Sequence, residues 1–229
     1  MVRGEMVGGE MVGGMNGTLA DELARERILA IVRGSDPEAA IRTAVTLMEC
    51  GIRILEVSLV TADALRVISE IVKVAPDGCL IGAGTVLSRS EVAAAAKAGA
   101  RFMVTPALAD SVAESVALGI PVLAGAFTPS EVVRALDLGA DVVKLFPMSL
   151  GGPAYLRALR GPFPIVPFVP VGGVDAAIVR DCLASGAIAV GVGSPLIGDA
   201  ARGGDLAALR TRAAEFLAVA REFDASVKG

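Results

Sequence analysis

The sequence predicts an α/β protein, a (β/α)8 TIM barrel with an extra N-terminal helix. From about Thr18 onward, short apolar runs rich in β-forming residues alternate with Ala- and Leu-rich runs of helical pattern. Eight such units recur at intervals of about 20–25 residues, which is enough for one strand, one helix and two short loops. Near-continuous apolar strands separated by helices are typical of a parallel sheet, and eight of them close into a barrel.

Each element has its own sequence signal. The extra helix is predicted at the amphipathic segment 18–27 (TLADELARER). Residues suited to the N-cap, three of them followed three positions later by glutamate, begin five later helices, at Ser35, Ser88, Thr128, Asp175 and Ser194. The eight strand candidates are 29–33, 53–58, 79–84, 101–105, 121–125, 141–146, 164–170 and 187–193.

The domain organisation is simple. Residues 1–17 are rich in Gly and Met and are expected to form a disordered tail, whereas 18–229 are expected to form a single barrel domain. A doubly wound open sheet is the competing architecture. That fold usually carries a Gly-rich dinucleotide-binding turn after its first strand, and the segment IVRGSDP lacks one.

Composition excludes several classes of protein. The chain has 229 residues, 54% of them hydrophobic, and a formal net charge of −4. A mildly acidic chain without a Lys/Arg run argues against a nucleic-acid partner, and no apolar stretch is long enough for a membrane span. No secretory signal pattern is present, so a cytoplasmic location is expected.

The sequence contains no histidine, which removes imidazole acid–base chemistry, Ser-His and Cys-His nucleophiles and His-ligated zinc. The cysteines, Cys50, Cys79 and Cys182, lie far apart and are expected to be reduced and buried rather than metal-binding. No metal and no cofactor are therefore expected. Lys, Arg, Asp, Glu, hydroxyl and backbone N–H groups must carry any chemistry.

Two charged residues lie inside apolar strands. Glu56 alternates with Leu55 and Val57, so the apolar face packs on helices and Glu56 points into the barrel, either as a functional group or in a structural salt bridge. Lys144 is the only one of the four lysines within an apolar strand. Desolvation disfavours its ammonium form, and a neutral amine can add to a ketone to form a Schiff base. A pairing of Lys144 with Glu56 is the structural alternative.

Further candidates follow other strands at the carboxyl-terminal end of the barrel, where active sites of this fold lie. Two glycine-rich turns follow the seventh and eighth strands and include Gly172, Gly173, Gly193 and Ser194. They are either tight turns or a phosphate-binding cradle built from backbone N–H groups. Arg33 suits an anion, Thr85 a carboxylate, and Phe146 the wall of a substrate pocket, although exposure, helix capping and core packing are the respective alternatives.

The motifs together resemble the 2-keto-3-deoxy-6-phosphogluconate (KDPG) aldolase family, which includes the galactonate (KDPGal) enzymes. The resemblance runs from about Ile28 to Phe223 and is carried by AIVRG, ILEVSL, IGAGTVL, TPA, PVLAGAFTPSE, VVKLFP, GGPAYLRALRGPFP, PVGGV and GVGS. It implies a homotrimer and a class I aldolase without cofactors. The resemblance also implies that the two products of cleavage are pyruvate and glyceraldehyde 3-phosphate.

The same resemblance implies a role for each candidate. Lys144 is the Schiff-base nucleophile and Glu56 the general acid and base. The implied substrate-binding residues are Arg33, Thr85, Pro106, Phe146, Val171, Gly172, Gly173, Gly193 and Ser194.

Two positions depart from the pattern of KDPG aldolases. Val60 stands where an Arg is usual, and Val171 replaces the Thr of PTGG. Val171 and the Arg of AIVRG resemble the KDPGal branch more closely, although that branch commonly has Asn at position 60. Two other functions remain open at this point: a 4-hydroxy-2-oxoglutarate aldolase or oxaloacetate decarboxylase using the same lysine, and a non-catalytic barrel that binds phosphosugars.

Overall fold

A computed structural model describes residues 17–228, and they form a (β/α)8 barrel preceded by one helix. Eight parallel strands are ordered β7-β6-β5-β4-β3-β2-β1-β8. A parallel bridge between Val171 and Gly191, just beyond β7 and within β8, joins the two ends of the sheet. The fold is the one that the sequence predicts. Except for Gly17, the predicted tail lies outside the described residues.

Strands and helices alternate along the described chain. The strands are β1 (Ile28–Val32), β2 (Ile54–Ser58), β3 (Leu80–Gly84), β4 (Met103–Val104), β5 (Val122–Ala126), β6 (Val142–Leu145), β7 (Phe168–Pro170) and β8 (Val190–Val192). The helices are α1 (Leu19–Glu26), α2 (Pro37–Glu49), α3 (Ala64–Val74), α4 (Arg89–Lys97), α5 (Asp110–Ala117), α6 (Pro129–Asp137), α7 (Gly152–Arg160), α8 (Ala176–Ala184), α9 (Ser194–Ile197) and α10 (Leu206–Lys228). Short 3-10 turns lie at Met148–Leu150 and Ala200–Arg202.

The core has two layers, as the alternation of side chains along each strand requires. Leu55 and Val57 face the helices in the larger layer, whereas Ile54 and Val142 face the barrel interior. Leu19 and Leu23 of α1 belong to the interior layer. The extra helix is therefore part of the barrel core, and the predicted orientation of β2 is confirmed.

Helix capping was predicted correctly at three of the five starts. Ser88 and Thr128 form full capping boxes, and the Asp175 carboxylate accepts from the N–H of Ile178. The prediction at Ser35 is wrong, because Asp36 is the N-cap and accepts from the N–H of Ala39 at 3.1 Å.

The prediction that Ser194 caps α9 is also wrong. The carbonyl of Gly193 accepts from the N–H groups of Leu196 and Ile197, so Gly193 is the N-cap and Ser194 is the first helical residue. Six of the eight predicted strands are shorter in the structure, and β4, β7 and β8 are shortened most. Of the predicted segment 187–193, β8 contains only Val190–Val192. β7 begins only at Phe168 because Pro164 and Pro167 have no N–H to donate to a ladder, and β4 contains only Met103 and Val104.

Among the described residues, no helix is both long enough and apolar enough to cross a membrane.

Candidate active site

A cavity of about 610 Å³ opens at the carboxyl ends of the strands. All of the site residues predicted from the sequence line it: Arg33, Glu56, Thr85, Pro106, Lys144, Phe146, Val171, Gly172, Gly173, Gly193 and Ser194. They come from seven of the eight strands or the loops that follow them, so only the closed barrel brings them together.

Glu56 lies at the floor of this cavity and is 2% exposed. Its neighbour on β3 is Gly84, at which a Cβ atom would lie 2.7 Å from the Glu56 carboxyl carbon. A glycine is therefore required there to leave room for the carboxyl group. The register between β2 and β3, which pairs Ser58 with Gly84, sets this arrangement.

The environment of Glu56 favours a neutral carboxyl group. Its Oε2 atom is buried and has no hydrogen-bond partner among the described residues. Burial raises the pKa of Glu56 above its ordinary value, and the positive charge of Lys144 opposes that shift in part. A carboxyl group with a raised pKa is suited to deliver and recover protons during catalysis.

Lys144 enters the cavity from β6 and is 6% exposed. Its Nζ atom lies 5.2 Å from the centroid of the Phe146 ring, which continues the same face of the chain beyond β6. The neighbouring Val143 and Leu145 face the helices. Within the described chain Lys144 makes no salt bridge, so its amine is available to a ligand in the cavity.

Thr85 has an unusual backbone conformation. Its φ angle is +61°, a region that β-branched residues rarely adopt. The Oγ1 atom lies 2.7 Å from the Oγ atom of Ser58, so the two hydroxyl groups share a hydrogen bond. Such strain persists only where the surrounding structure imposes it, and it is concentrated at functional sites.

The glycine-rich turns after β7 and β8 form another wall of the active-site cavity. Gly172 and Gly173 have φ angles of +90° and +79°, and a Cβ atom at Gly172 would lie 2.9 Å from the Phe146 ring. In the described chain, the backbone N–H groups of Gly173 and Ser194 have no backbone acceptor. They are free to donate to an anion in the cavity.

Val171 and Pro106 are held by close backbone packing. Val171 is 3% exposed, and a Cβ atom at Gly191 would lie 2.6 Å from its Cγ2 atom. At Gly125 a Cβ atom would lie 2.4 Å from the carbonyl carbon of Pro106. Strand β5 therefore passes directly beneath the Pro106 segment.

Sequence reasoning missed several lining residues. Ser58 shares the inward face of β2 with Glu56, so the alternation of side chains could have found it. Arg202 follows the short helix α9 in a Gly-rich connection that has no motif of its own. The remaining missed residues are Ile31, Val174, Gly191, Pro195 and Gly198.

The described residues contain no group of three or more His, Cys, Asp or Glu side chains placed to hold a metal ion. The lysine and the protonatable carboxyl group at the mouth of a (β/α)8 barrel define an enzyme of the class I, Schiff-base aldolase type.

Comparison with known proteins gives the family. The family model described as KDPG and KHG aldolase matches residues 19–211. The chain is 38% identical over 181 residues to a probable 2-dehydro-3-deoxy-6-phosphogalactonate aldolase of Rhizobium meliloti, covering 78% of this chain and 85% of the relative. The chain therefore belongs to the KDPG and KHG aldolase family. It is a lyase, and the hypothesis of a non-catalytic barrel is not retained.

Solved structures agree with this assignment. A structure described as native KDPGal superposes with a TM-score of 0.80 at 31% identity, covering 86% of this chain and 95% of the other. A KDPG aldolase from Legionella pneumophila, 27% identical, also superposes with a TM-score of 0.80 and covers 87% of this chain and 98% of its own. In that structure pyruvate is captured as a covalent carbinolamine intermediate.

Proposed function

We propose that this enzyme cleaves 2-keto-3-deoxy-6-phosphogluconate, or its galactonate epimer, to pyruvate and glyceraldehyde 3-phosphate. The observation that carries the proposal is the pair of buried groups at the barrel mouth, the free amine of Lys144 and the carboxyl group of Glu56. The test is incubation with each epimer, and the expected result is pyruvate and glyceraldehyde 3-phosphate in equal amounts.

Lys144 carries the covalent chemistry. Its amine attacks the C2 ketone, and loss of water from the resulting carbinolamine, whose hydroxyl group is protonated as it leaves, gives a protonated imine. When the C3–C4 bond breaks, its electron pair moves into the protonated imine, which becomes a neutral enamine. The C4 carbon leaves as the aldehyde of glyceraldehyde 3-phosphate. Protonation of the enamine at C3 and hydrolysis of the imine then release pyruvate and restore the amine.

Glu56 moves the protons in this sequence. It protonates the oxygen that leaves C2 as water, and its carboxylate then accepts the proton of the C4 hydroxyl as the C3–C4 bond breaks. Its raised pKa suits both roles, because the neutral and ionised forms must alternate near the working pH. No other carboxyl group lines the cavity in the described part of the chain.

The remaining residues hold the two ends of the substrate. Thr85 and Pro106 line the end of the cavity proposed for the pyruvyl carboxylate, and the Phe146 ring lies beside the imine. Arg33 follows β1, which pairs with β8, and offers its guanidinium to an anion in the same cavity. The glycine-rich turns that contain Gly172, Gly173, Gly193 and Ser194 donate backbone N–H groups to the phosphate.

A negative charge introduced into the glycine-rich turns should impair cleavage of phosphorylated substrates more than cleavage of unphosphorylated ones. Ser194→Asp is expected to lower kcat/KM for the phosphorylated substrate at least about tenfold, because like charges repel in the cradle. Cleavage of 4-hydroxy-2-oxoglutarate, which has no phosphate, should change little. Steady-state kinetics on both substrates is the measurement, with Ser130→Asp in the first turn of α6 as a control. Equal losses on both substrates would show that the loops are only turns.

Val171 is proposed to set the preference between C4 epimers. A Thr at this position could donate a hydrogen bond to one epimer of the C4 hydroxyl, whereas Val has almost the same shape and offers none. One neutral hydrogen bond contributes roughly 0.5–1.5 kcal/mol, or about threefold to tenfold in selectivity. We expect weak discrimination or a galacto preference in the native enzyme, and a shift towards KDPG in Val171→Thr. The ratio of kcat/KM for the two epimers tests this, and a strong KDPG preference unmoved by the substitution would contradict it.

A second candidate activity uses the same site. The family includes aldolases for 4-hydroxy-2-oxoglutarate (KHG), and the Lys144 chemistry requires only a 2-keto acid with a 4-hydroxyl group. The same amine could also decarboxylate oxaloacetate through the imine. Neither reaction uses the glycine-rich turns that are proposed to bind phosphate. A comparison of kcat/KM for these substrates with kcat/KM for KDPG therefore separates the activities.

We further propose a cytoplasmic homotrimer. Support for the oligomer comes from the family resemblance and from exposed apolar residues on α5, at the C-cap that ends it and on α6: Val116, Leu118, Val133 and Leu136. Apolar surface of this kind is typical of protein–protein contacts.

Support for the location comes from three free cysteines, which suit a reducing compartment.

A further inference from the structure

Two arginines at the barrel mouth have no carboxylate partner among residues 17–228. Arg33 and Arg202 line the active-site cavity and also an adjoining cavity of about 370 Å³. Within the described chain, neither forms a salt bridge or a side-chain hydrogen bond. We call the adjoining space the arginine cavity; its lining residues are Arg33, Gly34, Ser35, Val60, Ala62 and Arg202.

The fold fixes the backbones that carry the two arginines against each other. A Cβ atom at Gly34 would lie 1.9 Å from the carbonyl oxygen of Ala201, so only glycine permits this approach. Ala201 is 1% exposed and belongs to the core, which anchors the 3-10 turn. Each arginine is the immediate chain neighbour of one of these two residues. The pair is therefore placed by packed backbone.

A third loop completes the arginine cavity. The N–H of Ala62 donates to the carbonyl of Gly34 at 3.2 Å, which ties the segment after β2 to the segment after β1. Val60 in that segment is 62% exposed and carries no charge. The wall of the arginine cavity contains no carboxylate. Two positive charges thus face a space that the described chain leaves without a negative charge.

An anionic ligand is the group that such a pair binds, because a guanidinium forms strong charge-assisted hydrogen bonds with phosphate oxygens. Arg202 shares the wall of the active-site cavity with Ser194 and Gly198. The backbone N–H groups of that wall are neutral donors. A phosphate monoester carries close to two negative charges near neutral pH, and a guanidinium beside it adds a positive charge that the neutral N–H donors of the glycine-rich turns do not supply.

We propose that Arg202 is a specificity-determining residue that binds the substrate phosphate together with Arg33, and that it selects phosphorylated over unphosphorylated 2-keto-3-deoxy acids. The proposal rests on the proposed function. It adds a positive charge, from a residue outside the glycine-rich turns, to the groups that bind the phosphate. Arg202 lies in the 3-10 turn after β8, whereas Lys144 and Glu56 lie on β6 and β2. We assign it to recognition of the substrate and expect imine formation at Lys144 to be unchanged.

The test compares KDPG with 2-keto-3-deoxygluconate, which has the same carbon skeleton without the phosphate. Arg202→Gln should lower kcat/KM for KDPG about 10- to 100-fold, mainly through KM, the range for loss of a charge-assisted hydrogen bond. kcat/KM for 2-keto-3-deoxygluconate should stay within about twofold of its native value, and Arg202→Lys should recover part of the loss. Arg134→Gln, which removes an arginine at the end of α6 outside both cavities, is the matched control.

Inhibition by glycerol 3-phosphate provides a second measurement that does not depend on turnover of the unphosphorylated acid. The inhibition should weaken in Arg202→Gln by a similar factor and remain native in Arg134→Gln. Undiminished KDPG cleavage in Arg202→Gln, or an equal loss on both keto acids, would overturn the role of Arg202. Failure of the native enzyme to cleave KDPG or its epimer while pyruvate still forms an imine would instead overturn the proposed substrate.

Discussion

Replacing Lys144 by alanine or arginine is expected to abolish cleavage and leave the fold intact. Alanine removes the nucleophile, and the arginine guanidinium stays protonated and forms no imine. Lys144 is buried at the floor of the cavity and makes no salt bridge in the described chain, so the fold does not depend on its charge. Pyruvate release should fall to the background level, and circular dichroism and thermal unfolding should remain close to native.

Lys97→Ala is the matched control, because Lys97 lies in the last turn of α4 and outside the active-site cavity. It should cleave at the native rate. Substantial turnover in either Lys144 variant would show that the amine of Lys144 does not form the covalent intermediate.

Glu56→Gln is expected to reduce turnover on the order of 10²–10⁴-fold, the usual contribution of a general acid–base residue. Glutamine keeps the shape that fits against Gly84 but cannot move a proton. Trapping of the pyruvate imine by borohydride should persist, because the nucleophile is unchanged. Stopped assays with KDPG and mass spectrometry of the trapped protein measure the two effects separately. Native turnover in Glu56→Gln would return Glu56 to a structural role.

The same variant should show how burial of the Glu56 carboxyl group makes the stability of the native protein depend on pH. Because burial raises the pKa of Glu56, the folded protein binds the proton more tightly than the unfolded chain does. The stability contributed by the neutral carboxyl is complete below the ordinary pKa of 4.5 and is lost as the pH rises towards the pKa of the folded state. The difference in Tm between Glu56→Gln and the native protein should therefore grow in favour of the variant as the pH rises above about 4.5. A difference independent of pH would contradict the raised pKa.

Sequence patterns predict the barrel and the inward direction of its two charged residues because both depend on simple periodicity. Apolar strands recur at regular spacing, and the alternation along β2 places Glu56 opposite to Leu55 and Val57. The role of Lys144 then comes from the family resemblance. A lysine in an apolar strand can form a salt bridge or act as a nucleophile, and the motif VVKLFP favours the nucleophile. Spacing alone left a structural salt bridge between Lys144 and Glu56 as an alternative.

Other features depend on contacts between distant segments and could not be predicted. Nothing local marks Arg202, because its place beside Arg33 comes from the approach of Gly34 to the carbonyl of Ala201. The positive φ of Thr85 and its hydrogen bond with Ser58 likewise require the folded register of β2 and β3. The errors at Ser35 and Ser194 have another cause, since neighbouring Asp36 and Gly193 compete for the same N-cap positions.

Reductive trapping of the pyruvate imine identifies the Schiff-base lysine directly. The native protein is incubated with pyruvate, reduced with borohydride, digested and analysed by mass spectrometry. We expect one modified residue, Lys144, with Lys73, Lys97 and Lys228 unmodified. Modification of a different lysine, or of none, would contradict the assignment of Lys144 as the Schiff-base nucleophile.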